Sequence, residues 1–452
     1  MKVHFIAMGG SAMHNLAIAL HKKGFAVTGS DDVFTDPSKS RLARFGLLPE
    51  TEGWNVSKIT LELGAVILGM HAKVDNPELV EAQQKGIKIY SYPEYVFEQS
   101  RNKTRVVIGG SHGKTTITSM ILHVLKEASR DFDYLVGAQL EGFDTMVKIT
   151  DEAPLIVIEG DEYLASPIDR RPKFHLYQAN IGVISGIAWD HINVFPTFDI
   201  YLQQFALFID TISVNGKLIY CEQDEVLKQL VETHDSTTVE KIAYHLPQHK
   251  ITNGITSLIY QNQKYPLQVF GDHNLLNLQA AKEVCMQLDI DAETFYKAIS
   301  SFKGAAKRLE LIGHNQQTNV YKDFAHSPSK LSATIKAVKS QFPNRKLIAC
   351  MELHTFSSLN KDFLQEYAGT MDAAEEAIVF IDKRTFLQKS MEPYAASMVK
   401  DAFEKKDLLF FDDPKLLFNH LKQLNLMDTN LLMMSSGTFA GTDLTVFAES
   451  IL

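Results

Sequence analysis

Gly109-Gly110-Ser111-His112-Gly113-Lys114-Thr115-Thr116 stands between the apolar run Val106-Val107-Ile108 and a stretch, residues 115–126, that reads as a helix. A glycine-rich turn from a strand into a helix is a phosphate cradle. Backbone N–H groups converge there, the helix N-terminus adds positive dipole, and a lysine adds full charge. On this reading Gly110, Ser111, His112, Gly113, Lys114, Thr115 and Thr116 bind ATP. Lys114 reaches the outer phosphates as an exposed ammonium, and the Thr115 hydroxyl ligates Mg2+. Ile108 stands where the pattern G-x-x-x-x-G-K-[ST] has its first glycine, so a glycine-rich turn with an incidental lysine is the competing account.

Outward from this loop, strands and helices alternate. Upstream, residues 3–8, 25–28, 65–70 and 87–90 are short apolar runs. Met13, Leu16, Ala17 and Leu20 recur at helical spacing, and residues 77–85 form a second helix. Downstream, 154–158 and 181–185 read as strands and 275–288 as a helix. Residues 215–268 break into short strands with polar interruptions, which predicts an antiparallel excursion. Beyond them, strands at 320–323, 347–352, 377–382 and 431–435 alternate with helices such as 329–339. Alternation of this kind predicts parallel sheets with helices outside. The expected fold is α/β in three domains: a Rossmann-like domain over 1–103, a P-loop ATP-binding domain with a mostly parallel sheet over 104–305, and a second Rossmann-like domain over 306–452.

Further polar clusters fall at strand ends and helix starts. Glu159-Gly160-Asp161-Glu162-Tyr163 follows a strand, where α/β sheets bind ligands. A carboxylate there, beside a P-loop, holds Mg2+; a solvated acidic loop is the plainer account. Asp190-His191 follows another strand, and His191 is either a ligand or a hydrogen-bonded structural side chain. In Gly271-Asp272-His273-Asn274-Leu275-Leu276-Asn277, Asn274 and Asn277 share a helix face, and two amides match the donor and acceptor edge of an adenine. N-capping by Asn274 competes with that. Finally, Arg308 offers a phosphate a planar fork and Asp323 a carboxylate near it, though in isolation both are surface charges.

Taken in this order, the clusters resemble the Mur ligase family, ATP-dependent enzymes that add amino acids or peptides to the peptidoglycan precursor. The family's G-T-H-G-K-T-T appears here with Ser111 for the threonine, and its E-A-D-E is Glu159-Gly160-Asp161-Glu162. Its D-H is Asp190-His191, and its H-N-x-x-N is His273-Asn274-Leu275-Leu276-Asn277. Its arginine motif is Lys307-Arg308-Leu309, and its D-D-Y-A-H-H-P is Lys322-Asp323-Phe324-Ala325-His326-Ser327-Pro328. Residues 4–17 are similar to the UDP-sugar-binding start of the muramate-using members. Ala7, Gly186, Ala188, Lys322 and Ser327 depart from the family pattern.

The resemblance implies a ligase that activates a carboxylate with ATP and passes it to an amine, releasing ADP and phosphate. It implies catalytic roles for Lys114, Glu159, His191, Arg308 and Asp323, with Arg308 and Asp323 also on ATP. Thr115, Glu159 and His191 hold Mg2+, and Gly10, Ser11, Met13, Ser30, Asp31 and His71 hold the UDP-sugar, UDP-N-acetylmuramate. For the amine, Glu162-Tyr163 and the run Ile168-Asp169-Arg170-Arg171-Pro172-Lys173-Phe174 are similar to members that take the tripeptide L-Ala-γ-D-Glu-meso-diaminopimelate in peptidoglycan recycling. Residues 136–143 have the length found in those members. Free L-alanine, in peptidoglycan biosynthesis, is the other amine the resemblance allows. Glu352-Leu353-His354-Thr355-Phe356 matches neither group. Arg170, Arg171 and Lys173 either meet peptide carboxylates or form a solvated loop.

Composition narrows the alternatives. The chain has 452 residues, 45% of them hydrophobic, and a formal net charge of -9, which argues against a general nucleic-acid binder. The three cysteines, Cys221, Cys285 and Cys350, have neither metal spacing nor a disulfide framework, so a cytoplasmic location is expected. No apolar run approaches the ~18 residues of a membrane span. A nicotinamide-dependent oxidoreductase using Gly9-Gly10 lacks G-x-G-x-x-G and leaves the P-loop unexplained. A non-catalytic UDP-sugar-binding regulator on the same scaffold is the remaining rival. Lys114, Glu159, His191 and Arg308 argue against it.

Overall fold

The computed structural model describes residues 1–140, 142–189, 194–304, 308–393 and 395–452. The chain divides into two compact units: Met1–His245 with Asn277–Ala298, and Leu246–Leu276 with Ile299–Leu452. Among the described residues, no helix is long and apolar enough to cross a membrane.

The first unit carries two sheets. One is four-stranded and wholly parallel, in the order Ala26–Ser30, Lys2–Ile6, Ala65–Leu68, Ile89–Ser91. The other is seven-stranded, in the order Glu240–Tyr244, Lys217–Cys221, Ile181–Ile184, Thr104–Gly109, Leu155–Glu159, Asp133–Leu135, Val147–Lys148. Only its last pair is antiparallel. Its inner strands are continuous apolar runs because helices cover both faces of a parallel sheet. From Thr104–Gly109 the chain builds first to one side and then to the other. The loop after this strand therefore opens at a topological switch point, where such sheets leave a crevice. The helix Lys114–Glu127 follows, with Ile117, Met120, Ile121, Val124 and Leu125 buried.

The antiparallel excursion over 215–268 is smaller than its pattern predicts. Lys217–Cys221 and Glu240–Tyr244 pair in parallel and extend the seven-stranded sheet. Their crossover is the helix Glu225–Thr233, which buries Leu227 and Val231 four residues apart. Only His249–Thr252, Ile255–Tyr260 and Gln263–Pro266 form an antiparallel sheet, and it belongs to the second unit.

The second unit also holds a six-stranded sheet: Glu310–His314, Thr318–Asp323, Thr429–Met434, Lys346–Glu352, Glu376–Phe380, Leu409–Phe411. All its pairs are parallel except the first. Successive side chains of Lys346–Glu352 alternate between two cores. Leu347, Ala349 and Met351 pack with Leu331, Ile335 and Val338, while Ile348 and Cys350 pack with Leu417 and Leu421.

Candidate active site

In the first unit, the backbone of the glycine loop requires glycine at two points. Gly110 has φ +122°, and a Cβ there would lie 2.2 Å from Ser185 Oγ. Gly113 has φ +79°, and a Cβ there would lie 2.3 Å from Asn277 Oδ1. An ordinary side chain fits neither position. Ser111, the departure from the family's threonine, clamps a neighbouring loop. Its hydroxyl donates to Gly186 O at 3.1 Å and accepts from Ala188 N at 2.5 Å.

Thr115 Oγ1 donates to Glu159 Oε1 at 2.7 Å, and Gly137 N donates to Glu159 Oε2 at 2.7 Å. A hydroxyl and a carboxylate held together are hard oxygen donors of the kind Mg2+ takes, so these residues fit the ion. Among the described residues no group of three or more His, Cys, Asp or Glu is placed to hold a metal. Asp190 and His191 lie outside the described residues.

Lys114 is not the exposed ammonium its position predicts. Its Nζ donates to Gly110 O at 2.6 Å and pairs with Glu162 Oε2 at 2.7 Å. The two side chains are only 15% and 1% exposed. Burial works against the charge of Lys114, but Glu162, Asp161 and Glu159 outweigh it and hold the ammonium pKa above its usual value. Tyr201 donates its hydroxyl to Glu162 Oε1 at 3.2 Å. Asp161 turns instead to Lys173, at 2.6 Å. Burial pushes its carboxyl up, yet Lys173 and Lys114 prevail and hold it at about 2.

The UDP-sugar candidates gather at the carboxyl end of the four-stranded sheet. Gly10 is the N-cap of the helix Ser11–Lys22, Ser11 is exposed and Met13 is buried. Ser30 ends its strand and accepts from Lys58 Nζ at 3.1 Å. Asp31 Oδ2 accepts from Gly9 N at 2.6 Å. Burial raises its pKa, against the N–H groups of Gly9 and Asp32 and the charge of His71. Ala7, in place of the family's glycine, adopts φ +64°, which explains why a glycine is usual there.

In the second unit, Arg308 lies with its guanidinium 5.0 Å from the Phe324 ring centroid. Asp323 accepts from Leu309 N at 2.6 Å, Ala325 N at 2.7 Å and the Thr334 hydroxyl at 3.2 Å. Lys307 lies outside the described residues. The helix carrying both asparagines begins at Asp272, so Asn274 sits within its first turn and not at the N-cap. The Asn274 amide donates to Phe270 O at 2.9 Å. Asn277 belongs to the first unit, where it lies against Gly113.

Family profiles match the chain in three places: Mur ligase family, catalytic domain, over residues 2–47; Mur ligase middle domain over 108–285; and Mur ligase, glutamate ligase domain, over 307–437. A UDP-N-acetylmuramate–L-alanine ligase of Desulforamulus reducens is 30% identical over 383 residues, 81% of this chain and 80% of the relative. The chain belongs to the Mur ligase family. Mur ligases are ATP-dependent enzymes of peptidoglycan biosynthesis that use Mg2+ and release ADP and phosphate. This chain is an enzyme of that class, acting on small molecules. Its three-domain α/β fold is shared with the UDP-N-acetylmuramate-alanine ligase of Thermotoga maritima, at TM-score 0.68 and 20% identity over 100% of this chain and 98% of the other. A murein peptide ligase of Psychrobacter arcticus shares it at TM-score 0.63 and 21% identity, over 99% of both chains.

Three residues of this Mur ligase's site were not found from the sequence. Gly137 approaches Glu159 so closely that a Cβ would lie 2.8 Å from the carboxylate. Tyr201 looks like any aromatic on the buried face of a helix. Asp224 caps the helix Glu225–Thr233 and also accepts from Ile187 N at 2.7 Å, fixing the loop that Ser111 clamps. Only Asp224 had a legible signal, an acidic residue just before an amphipathic run. In the basic run, Arg171 is taken by Asp169 at 2.6 Å and Lys173 by Asp161. Arg170 is exposed.

Proposed function

We propose that this Mur ligase joins the carboxylate of UDP-N-acetylmuramate to the L-alanyl amine of L-Ala-γ-D-Glu-meso-diaminopimelate, in cytoplasmic peptidoglycan recycling. The observation that carries the ligase reading is the P-loop set: Lys114 at the loop, and Thr115 bonded to Glu159 beside it. In this reading residues 1–103 take the UDP-sugar, 104–305 take ATP, and 306–452 take the amine.

The chemistry follows from the poor leaving ability of a carboxylate oxygen. Transfer of the ATP γ-phosphoryl to the carboxylate gives an acyl phosphate and ADP. The amine attacks the acyl carbon, phosphate leaves, and the amine nitrogen loses a proton. Phosphoryl transfer needs positioning and positive charge more than covalent help. Lys114 and Arg308 supply charge from the chain, and Asn274 and Asn277 read the adenine. Mg2+, held by Thr115 and Glu159 with His191 assigned to a second ion, neutralises phosphate charge when bound. Asp323 helps set the third domain on the nucleotide by holding the loop after Arg308. Gly10, Ser11, Met13, Ser30, Asp31 and His71 hold the UDP-sugar. An acyl phosphate is water-labile, so the site closes before chemistry.

Support for the tripeptide is the similarity of Glu162-Tyr163 and of residues 168–174 to members that take it, a run that the fold ties back to the acidic motif. Leu164 bridges Pro172, Ala165 N donates to Arg171 O at 2.9 Å, and Lys173 reaches Asp161. Free L-alanine is the second reading, favoured by the relatives that are UDP-N-acetylmuramate–L-alanine ligases. Phosphate release measured with UDP-N-acetylmuramate, ATP and each amine in competition decides between them. A higher kcat/KM for L-alanine than for the tripeptide replaces the first reading by the second. No phosphate release with either amine overturns both readings.

A further inference from the structure

The P-loop lysine has an anionic partner within the protein itself. Lys114 Nζ lies 2.7 Å from Glu162 Oε2, and the Glu162 side chain is 1% exposed. Glu162 cannot readily withdraw. It sits three residues beyond Glu159, on the loop leaving the strand Leu155–Glu159. Its other oxygen accepts from the hydroxyl of Tyr201, itself 0% exposed. Lys114, by contrast, reaches the pair on a flexible four-carbon stem and also bonds Gly110 O in its own loop. Phosphates that meet Lys114 must therefore share it with a fixed carboxylate.

We infer that Glu162 is a resident counter-charge that tempers the hold of Lys114 on the nucleotide and recaptures the lysine as ADP leaves. The inference rests on Lys114 being the ATP lysine. A pair this poorly exposed is screened much less than a surface pair, so its competition with phosphate is felt. ATP brings one phosphate more than ADP, so the competition bears harder on the product. Product release is a common limit on turnover in enzymes that close around their substrates. Tyr201 acts through Glu162 and is a positioning residue.

The sign of one measurement separates this role from a structural one. If Glu162 only props the loop, its loss disorders Lys114 and weakens nucleotide binding. If it is a counter-charge, its loss strengthens binding. The experiment is calorimetric titration of the full chain with ADP and Mg2+, for the wild type, Glu162→Gln and Glu162→Asp, with thermal unfolding of each in parallel. We expect the ADP Kd of Glu162→Gln to fall about fivefold to tenfold. Glu162→Asp, which keeps the charge but draws it back, falls between. An unchanged or higher Kd in folded Glu162→Gln overturns the inference and leaves the ligase reading standing. Should Glu162→Gln not fold, an unchanged or higher Kd in Glu162→Asp does the same. A wild type that binds no ADP overturns both.

Discussion

At the end of the strand Leu155–Glu159, Glu159 accepts from the Thr115 hydroxyl, beside a loop whose lysine is paired with Glu162. At the end of Thr318–Asp323, the corresponding carboxylate accepts from the backbone of Leu309 and Ala325 and from the hydroxyl of Thr334. The next strand-end acid in that sheet, Glu352, likewise accepts from Phe439 N at 2.9 Å and from the Ser435 hydroxyl. Both regions place acids at the carboxyl end of a mostly parallel sheet, but their partners differ. A carboxylate filled by backbone N–H groups anchors a loop, and its value lies in stability. Glu159 also accepts one backbone N–H, but its other donor is the hydroxyl next to the P-loop lysine, and Glu162 holds that lysine itself; a cation or a phosphate can take over these partners, so the value of the two acids lies in chemistry.

The largest effect that tests this contrast belongs to Lys114. Lys114→Ala is expected to lower kcat on the order of 10³-fold, through loss of charge at the transferring phosphoryl. It should also lower the melting temperature, because the buried Glu162 carboxylate loses its ammonium partner. The double variant Lys114→Ala/Glu162→Gln should regain the melting temperature and stay inactive. Near-normal ATP turnover by Lys114→Ala with both co-substrates present breaks the contrast at its strongest point. Glu159→Gln comes next. A loss of roughly 10²-fold in kcat is expected, with the Mg2+ needed for half-maximal rate shifted upward. A Mg2+ titration that matches wild type would move Glu159 among the loop anchors.

For Asp323→Ala the readout is stability. Two N–H groups and a hydroxyl lose their acceptor, and about 2 kcal/mol of unfolding free energy should go with it in a denaturant titration. Unaltered stability with lost activity would place Asp323 beside Glu159. The smallest effect is the acid stability carried by Asp161. Its carboxyl, at about 2 when folded, lies below the usual carboxylate value. The pair therefore stabilises the fold above pH ~4 and loses that contribution as pH falls toward ~2. Asp161 is 40% exposed in its side chain, so screening keeps the contribution under about 1 kcal/mol. Lys173→Met should melt lower than wild type at pH ~6, with the gap closing toward pH ~2. A gap that stays constant with pH would show that packing, and not charge, links this pair.

The glycine loop was legible because its chemistry is contiguous: the turn, the lysine and the metal-holding hydroxyl occupy neighbouring positions, and φ +79° at Gly113 explains one glycine locally. The asparagines were legible as a helical pair but not as to what each touches. Residues 215–268 were misjudged because the short amphipathic run of the helix Glu225–Thr233 was merged with the strands on either side, though it is the crossover that makes those strands parallel. The basic run at 170–173 could be found but not interpreted, since charge alone does not say whether Arg171 and Lys173 are committed to Asp169 and Asp161.

The sequence by itself determined the alternation that makes parallel sheets and the phosphate loop, because each is written in local period or in adjacent residues, and the order of its motifs carried the resemblance that implied a ligase. The tertiary structure alone decided that Lys114 meets Glu162, 48 positions away, and that Tyr201 holds Glu162 from 39 positions beyond. It also decided that Lys217–Cys221 joins the parallel sheet beside Ile181–Ile184. Such partners are set by the order in which strands assemble, and that order is a property of long-range packing that no local pattern encodes.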